Sequence, residues 1–188
     1  MKIGVLALQG AFREHITMLE ALGVSASAVR LPAQLEGLDG LIIPGGESTA
    51  ISKLMVNYGF YDAISAAAAD GLGVWGTCAG LILMAHEVDD GIEDQRSLDL
   101  IDVVARRNAF GRQRDSFEAH LDFNGIGEYT GVFIRAPWIE SVGEGVEVLA
   151  SYKGHIVAAR KSNMMVTAFH PELTSDDSIH RYFIERVL

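Results

Sequence analysis

The sequence holds one cysteine, Cys78, among its 188 residues. No intrachain disulfide can form, so a disulfide-stapled secreted scaffold is excluded and a reducing compartment fits better. Proline is scarce, at four residues, and no linker or low-complexity tract is present. Basic side chains are outnumbered, 15 Lys and Arg against 25 Asp and Glu, giving a formal charge of −10. Such a chain lacks the basic face that nucleic-acid phosphates or an anionic membrane require. No run approaches the ~18 consecutive apolar residues of a membrane span. The apolar start Ile3–Leu8 is interrupted by Gln9 and Arg13-Glu14-His15 before the core of a signal peptide could finish. These absences predict a cytoplasmic protein that opens directly on its first strand. What is plentiful is apolar: 49% of residues are hydrophobic, too many for a disordered chain and enough for one sizeable core. Residues 1–188 are expected to form a single domain.

The first half alternates strand and helix. Ile3–Leu8 is a short apolar run of the kind buried on both faces. Phe12, Ile16, Leu19 and Leu22 recur at helical spacing, with Gly23 at the C-terminal glycine position. Val24–Leu31 and Leu41–Ile43 read as strands. Ser48 or Thr49 is positioned to cap a helix carrying Ile51, Leu54, Met55 and Tyr58. Tyr61–Ala69 reads as helix, Val74-Trp75 as strand and Leu81–His86 as helix, followed by an acidic surface loop over 88–97. Beyond it, Leu100–Ala105, Phe117–Phe123, Val132–Ile134, Val146–Tyr152, His155–Ala159 and Met164–Phe169 all read as strands, with a hairpin turn at Lys153-Gly154. Asp177–Leu188 is a closing helix. The order predicts an α/β fold in three layers: a mostly parallel sheet flanked by helices, with antiparallel strands added in the second half.

Ligand sites in such sheets form at the carboxyl ends of the strands. Three segments belong there. Gly76-Thr77-Cys78-Ala79-Gly80 lies between a strand and a helix, the pattern of a nucleophile elbow with cysteine at its centre. A helix N-terminus behind the sulfur favours the thiolate, and the Ala79 N–H is placed to meet an oxyanion. A lone cysteine is more often a small buried hydrophobe, but the glycine frame reverses that preference here. His170-Pro171-Glu172 follows an apolar strand. In extended chain His170 and Glu172 point to one side, so Glu172 can fix the tautomer of His170, and His170 can take the proton of Cys78. The tripeptide alone is weak; with the elbow it is strong. In Pro44-Gly45-Gly46-Glu47-Ser48, two glycines permit positive φ and close approach, and their N–H groups can supply the other half of an oxyanion hole. An ordinary strand–helix turn is the competing reading.

Arg106, Arg107, Arg112 and Arg114 cluster in an otherwise acidic chain; for most of them a solvated loop is the better reading, and Arg135 is the better single anion contact. His15, His86, His120, His155 and His180 lack metal-ligand spacing and read as ordinary surface or core histidines. No metal or other cofactor is expected.

Together the elbow, the His-Pro-Glu and the Pro-Gly-Gly loop resemble the class I (triad) glutamine amidotransferases. The stretches Ile3–Gly10, Arg13-Glu14-His15, Gly45–Thr49, Arg107–Gln113 and Phe133–Pro137 narrow the resemblance to the glutaminase subunits of pyridoxal 5′-phosphate synthase, over nearly the whole chain. The resemblance implies hydrolysis of L-glutamine to glutamate and ammonia. It also implies a partner synthase subunit, a β/α barrel, that uses the ammonia in vitamin B6 formation. By position it makes Cys78 the nucleophile, His170 the base and Glu172 its orienter. Gly46, Glu47, Ser48, Arg107, Ile134 and Arg135 become the glutamine contacts. Two positions depart from the family pattern, Trp138 after Arg-Ala-Pro and His120 after Phe-Glu-Ala, and neither touches the three motifs. A cysteine peptidase of related fold would share the elbow and base, and a non-catalytic flavodoxin-like module would need a phosphate- or flavin-binding loop that is not found.

Overall fold

The computed structural model describes residues 1–89, 96–110 and 116–188. The first half builds β1 (Lys2–Leu6), α1 (Phe12–Ala21), β2 (Ser25–Val29), β3 (Gly40–Ile43), α2 (Ser48–Tyr58), α3 (Phe60–Ala69), β4 (Gly73–Thr77) and α4 (Ala79–Met84). Phe12, His15 and Leu19 recur on one stripe of α1, and His15 and Leu19 are its buried residues. Gly59 ends α2 in the left-handed conformation, φ 73°, and starts α3 without a linker. The second half contributes β5 (Ala85–Asp89), β6 (Ile101–Arg106), β7 (Ser116–Phe123), β8 (Gly127–Ile134), β9 (Trp138–Val142), β10 (Glu147–Tyr152), β11 (His155–Lys161) and β12 (Met164–Thr167). The chain closes with α5 (Ser178–Tyr182), continued by a π-helical turn over Phe183–Val187.

One large sheet runs in the order β2-β1-β3-β4-β12-β11-β9-β6-β5, with β10 paired to β11. From β2 to β12 neighbours are parallel; β12, β11, β9 and β6 are joined antiparallel. β7 and β8 form a separate antiparallel hairpin. The expected class, a mostly parallel helix-flanked sheet with antiparallel additions, is the one observed. The residues of β3, β4 and β12 are all buried, as strands covered on both faces must be. β6, β7 and β8 instead alternate buried and exposed positions.

Several sequence expectations are corrected. The helix read over Leu81–His86 stops at Met84, and Ala85 starts strand β5, so His86 to Asp89 are strand and not helix or loop. The run Leu81–Ala85 is apolar throughout, so periodicity could not mark the change from helix to strand. β9 was not anticipated, because Trp138-Ile139-Glu140 follows a proline and shows little alternation. β8 starts five residues before the strand read at Val132–Ile134.

Candidate active site

Parallel pairing decides what meets what. β4 lies between β3 and β12, in register Ile43↔Gly76 and Thr167↔Thr77, so the segments leaving all three strands emerge side by side. Cys78 follows β4, the Pro44-Gly45-Gly46 loop follows β3, and His170 comes three residues after β12. The Cys78 N–H donates to the Thr167 carbonyl at 2.8 Å, and the His170 N–H donates to the Val132 carbonyl of β8 at 2.8 Å. Both segments are therefore tied by backbone bonds.

Cys78 has φ 49° and ψ −100°, an unfavourable conformation for a residue with a side chain. The glycines around it explain how the turn is held. A Cβ on Gly80 would stand 2.1 Å from the Ile43 carbonyl oxygen, and one on Gly76 would stand 2.5 Å from the Gly80 backbone. The helix thus packs directly on the strands behind it and pushes the cysteine outward. Cys78 is 6% exposed, and its sulfur lies 3.9 Å from the Ile134 carbonyl.

His170 bonds Glu172 through Nδ1 to Oε1 at 2.7 Å and shares the cavity wall with Cys78. A carboxylate only accepts, so Nδ1 carries the proton and Nε2 is left for the sulfur. Burial pushes the His170 pKa down, but the bonds to Cys78 and Glu172 outweigh it and raise it to about 10. The reason given in the sequence for this contact needs correction. β12 ends at Thr167, and Glu172 sits in a 3₁₀ turn over Pro171–Leu173, so the contact comes from the chain turning back and not from extended i, i+2 geometry.

The glycine loop differs from expectation in two ways. Neither Gly45 nor Gly46 has positive φ; both are needed for close approach. A Cβ on Gly45 would lie 2.3 Å from His170 Cε1, and one on Gly46 would lie 2.4 Å from Gln9 Oε1. In addition, the Gly45 N–H donates to Thr77 Oγ1 at 2.9 Å, so in this arrangement it is not an oxyanion donor. The α2 cap is Glu47, not Ser48 or Thr49: its carboxylate accepts from the Thr49 and Ala50 N–H groups at 2.9 and 2.7 Å. Burial pushes the Glu47 carboxyl up, and those two donors more than reverse it.

A cavity of about 360 Å³ opens over this group. Cys78, Ala79, His170, Gly46, Glu47, Ser48, Arg107, Ile134 and Arg135 all line it; Gly45 and Glu172 stand behind the wall. Arg107 Nη2 is 3.9 Å from Glu47 Oε1. Arg106 instead points to acidic partners, Glu140 at 2.6 Å and Asp89 at 3.8 Å. Arg112 and Arg114 lie outside the described residues. Trp138 stacks on His155, ring centroids 3.6 Å apart, and is not part of the cavity lining. Sequence reasoning gave no role to Gln9, Ile82, Asn108 and Pro137, which share the lining; Gln9 Oε1 accepts from the Glu47 N–H at 2.9 Å. It also took His15 as ordinary, yet that ring is fully buried 3.3 Å from Glu172 Oε2. The available signal was its place on the apolar stripe of α1. Among the described residues no group of His, Cys, Asp or Glu could hold a metal, and no helix is long and apolar enough to cross a membrane.

A sulfur, an imidazole that can donate or take a proton, and a carboxylate behind it, at the mouth of a small polar cavity, suit acyl transfer through a covalent thioester. Known proteins narrow the chemistry. The pyridoxal 5′-phosphate synthase subunit PdxT of Herpetosiphon aurantiacus is 56% identical over 188 residues, covering 98% of this chain and 99% of the relative. The protein of the same name from Streptomyces coelicolor is 53% identical over 187 residues, covering 98% and 93%. A crystal structure of a glutamine amidotransferase superposes with TM-score 0.93 and 48% identity over 97% of each chain. The structure of PurLQS from Thermotoga maritima, at TM-score 0.72 and 16% identity over 100% of this chain and 99% of that one, shares the fold. Residues 5–188 match the SNO glutamine amidotransferase family, and over that span the chain belongs to it.

Proposed function

We propose that this chain is the glutaminase subunit of a pyridoxal 5′-phosphate synthase. In this reading it hydrolyses L-glutamine and passes the ammonia to a β/α-barrel synthase subunit, with residues 1–188 acting as one unit in the cytoplasm. The names of its relatives supply the biosynthetic context. The observation that carries the chemistry is the position of His170, on the same cavity wall as Cys78 and bonded to Glu172 behind it, with a cavity sized for an amino acid above.

Glutamine binds with its side-chain amide over Cys78. Glu47, Ser48, Arg107, Ile134 and Arg135 line the remainder, where the two guanidinium groups suit an α-carboxylate. The sulfur attacks the amide carbon, and the C–S bond forms as negative charge moves to oxygen. The Ala79 N–H, in the first turn of α4 where no intrahelical acceptor exists, and the Gly46 N–H receive that charge. Gly45 contributes the close packing that sets His170 against Cys78. His170, protonated at neutral pH, gives its proton to the departing nitrogen as the C–N bond breaks and ammonia leaves. The neutral ring then takes a proton from water, whose oxygen attacks the thioester and releases glutamate and the sulfur.

The test is ammonia release from glutamine by the full chain, with and without the synthase subunit, for the parent and Cys78→Ala. Release by the parent and none by Cys78→Ala, with an unchanged melting temperature, is expected. Ammonia release by a clean Cys78→Ala protein removes the mechanism.

A further inference from the structure

Behind the site two further imidazoles lie in line with Glu172. His15 on α1 and His180 on α5 are both fully buried. Glu172 divides its oxygens: Oε1 accepts from His170, while Oε2 lies 3.3 Å from His15 Nε2. That contact is at ion-pair distance without hydrogen-bond geometry: Oε2 has no hydrogen-bond partner among the described residues, and His15 Nε2 also lies 3.5 Å from Thr77 Oγ1. His15 Nδ1 in turn is 2.9 Å from His180 Nε2. The edges of both rings pack on Trp75 of β4, at 5.6 and 4.9 Å between centroids.

Proton accounting gives this line a direction. Burial keeps both rings neutral: it pushes His15 well below the ordinary histidine range and His180 down to about 3. A neutral ring has one N–H and one lone pair. Glu172 Oε2 can only accept, so it calls for the proton of His15 on Nε2. His15 Nδ1 is then a lone pair and needs a donor, which His180 Nε2–H supplies. The lone pair left over falls on His180 Nδ1, the buried ring nitrogen that has no partner among the described residues. In the chosen tautomer the Nε2–H lies between Glu172 Oε2 and Thr77 Oγ1; in the opposite one His15 would turn a lone pair towards the carboxylate and accept from the Thr77 hydroxyl, 3.5 Å away. That arrangement leaves a buried anion oxygen without a donor, which is costly.

We infer that His15, held by His180, is a positioning residue: its Nε2–H carries the second oxygen of Glu172 and so fixes the carboxylate that aims His170 at Cys78. This assignment rests on the glutaminase reading only where turnover is measured. Alkylation of Cys78 by iodoacetamide and the ring nitrogens seen by NMR report on the same groups without glutamine.

The experiment has two arms. ¹⁵N-imidazole NMR of the full parent chain at neutral pH is expected to show His15 and His180 as neutral rings protonated at Nε2; a proton on Nδ1 of His15, or a charged ring, overturns the inference. In the second arm His15→Met and His15→Gln are assayed for turnover with the synthase subunit and for the pH profile of Cys78 alkylation. His15→Met is expected to lower kcat about tenfold with KM unchanged and to shift the alkylation profile, because the N–H dipole facing Glu172 Oε2 is lost. His15→Gln, whose amide N–H reaches the same place, should stay within about threefold of the parent. Equal losses in both variants, or none in either, overturn the inference. If His15→Met does not fold, the tautomer decides.

Discussion

The two halves of the cavity wall are built differently. One half hangs from β3, β4 and β12, whose residues are buried throughout and whose exits are tied by backbone bonds. It carries Cys78, His170 and the glycine loop. The other half comes from the end of β6 and the hairpin β7–β8, where buried and exposed residues alternate, and it supplies Arg107, Ile134 and Arg135. Arg135 is exposed, whereas Cys78 and His170 are 6% and 7% exposed. The Cys78 sulfur and the His170 imidazole are thus placed by backbone that is hydrogen-bonded to neighbouring strands. The cationic groups of the other half sit on long side chains at the ends of β6 and β8.

This contrast can be broken at graded positions. The largest effect is expected at Gly80, where any Cβ meets the Ile43 carbonyl: Gly80→Val should cost about 3 kcal/mol of stability by denaturant unfolding and remove activity together with it. A loss under about 1 kcal/mol would mean the helix is not pressed on β3 as described. Glu172→Gln should leave the fold in place and lower kcat by roughly 10²–10⁴, less than Cys78→Ala does, since orientation and charge are lost but the attacking atom remains. A loss equal to that of Cys78→Ala would give Glu172 a further part in the chemistry. The smallest effect belongs to the other half: Arg107→Ala should raise KM for glutamine about tenfold with kcat nearly constant, as expected of a contact made equally before and during reaction. A fall in kcat at constant KM would move Arg107 to the reacting centre and blur the division.

The same division governs what could be read from the sequence. The buried parallel half announces itself through its glycines: a Cβ on Gly76 or Gly80 would meet backbone, and one on Gly45 or Gly46 would meet the His170 or Gln9 side chain. Cys78 was legible through its glycines. His170 and Glu172 were paired for the wrong local reason, since a 3₁₀ turn and an extended tripeptide both allow residues i and i+2 to touch. Glu47 as cap was obscured by Ser48 and Thr49 beside it, both better known in that position. The role of the Gly45 N–H depended on Thr77, a partner 32 residues away that only the β3–β4 register brings near. His15 sits at a spacing that serves packing equally well, and nothing local distinguishes a ring that fills space from one that holds a carboxylate. β5 was hidden because an apolar run fits a buried helix end and a strand alike.

The pairing of β4 with β12 has a bearing on how the protein is made. His170 follows Cys78 by 92 residues, and at ordinary rates of translation roughly 5–20 s separate their emergence from the ribosome. During that interval the thiol exists without its proposed base, on a turn after β4 with one of the two neighbouring strands, β12, not yet synthesised. In the proposed mechanism the base therefore arrives only with the last tenth of the chain, so an incomplete polypeptide carries the cysteine without it.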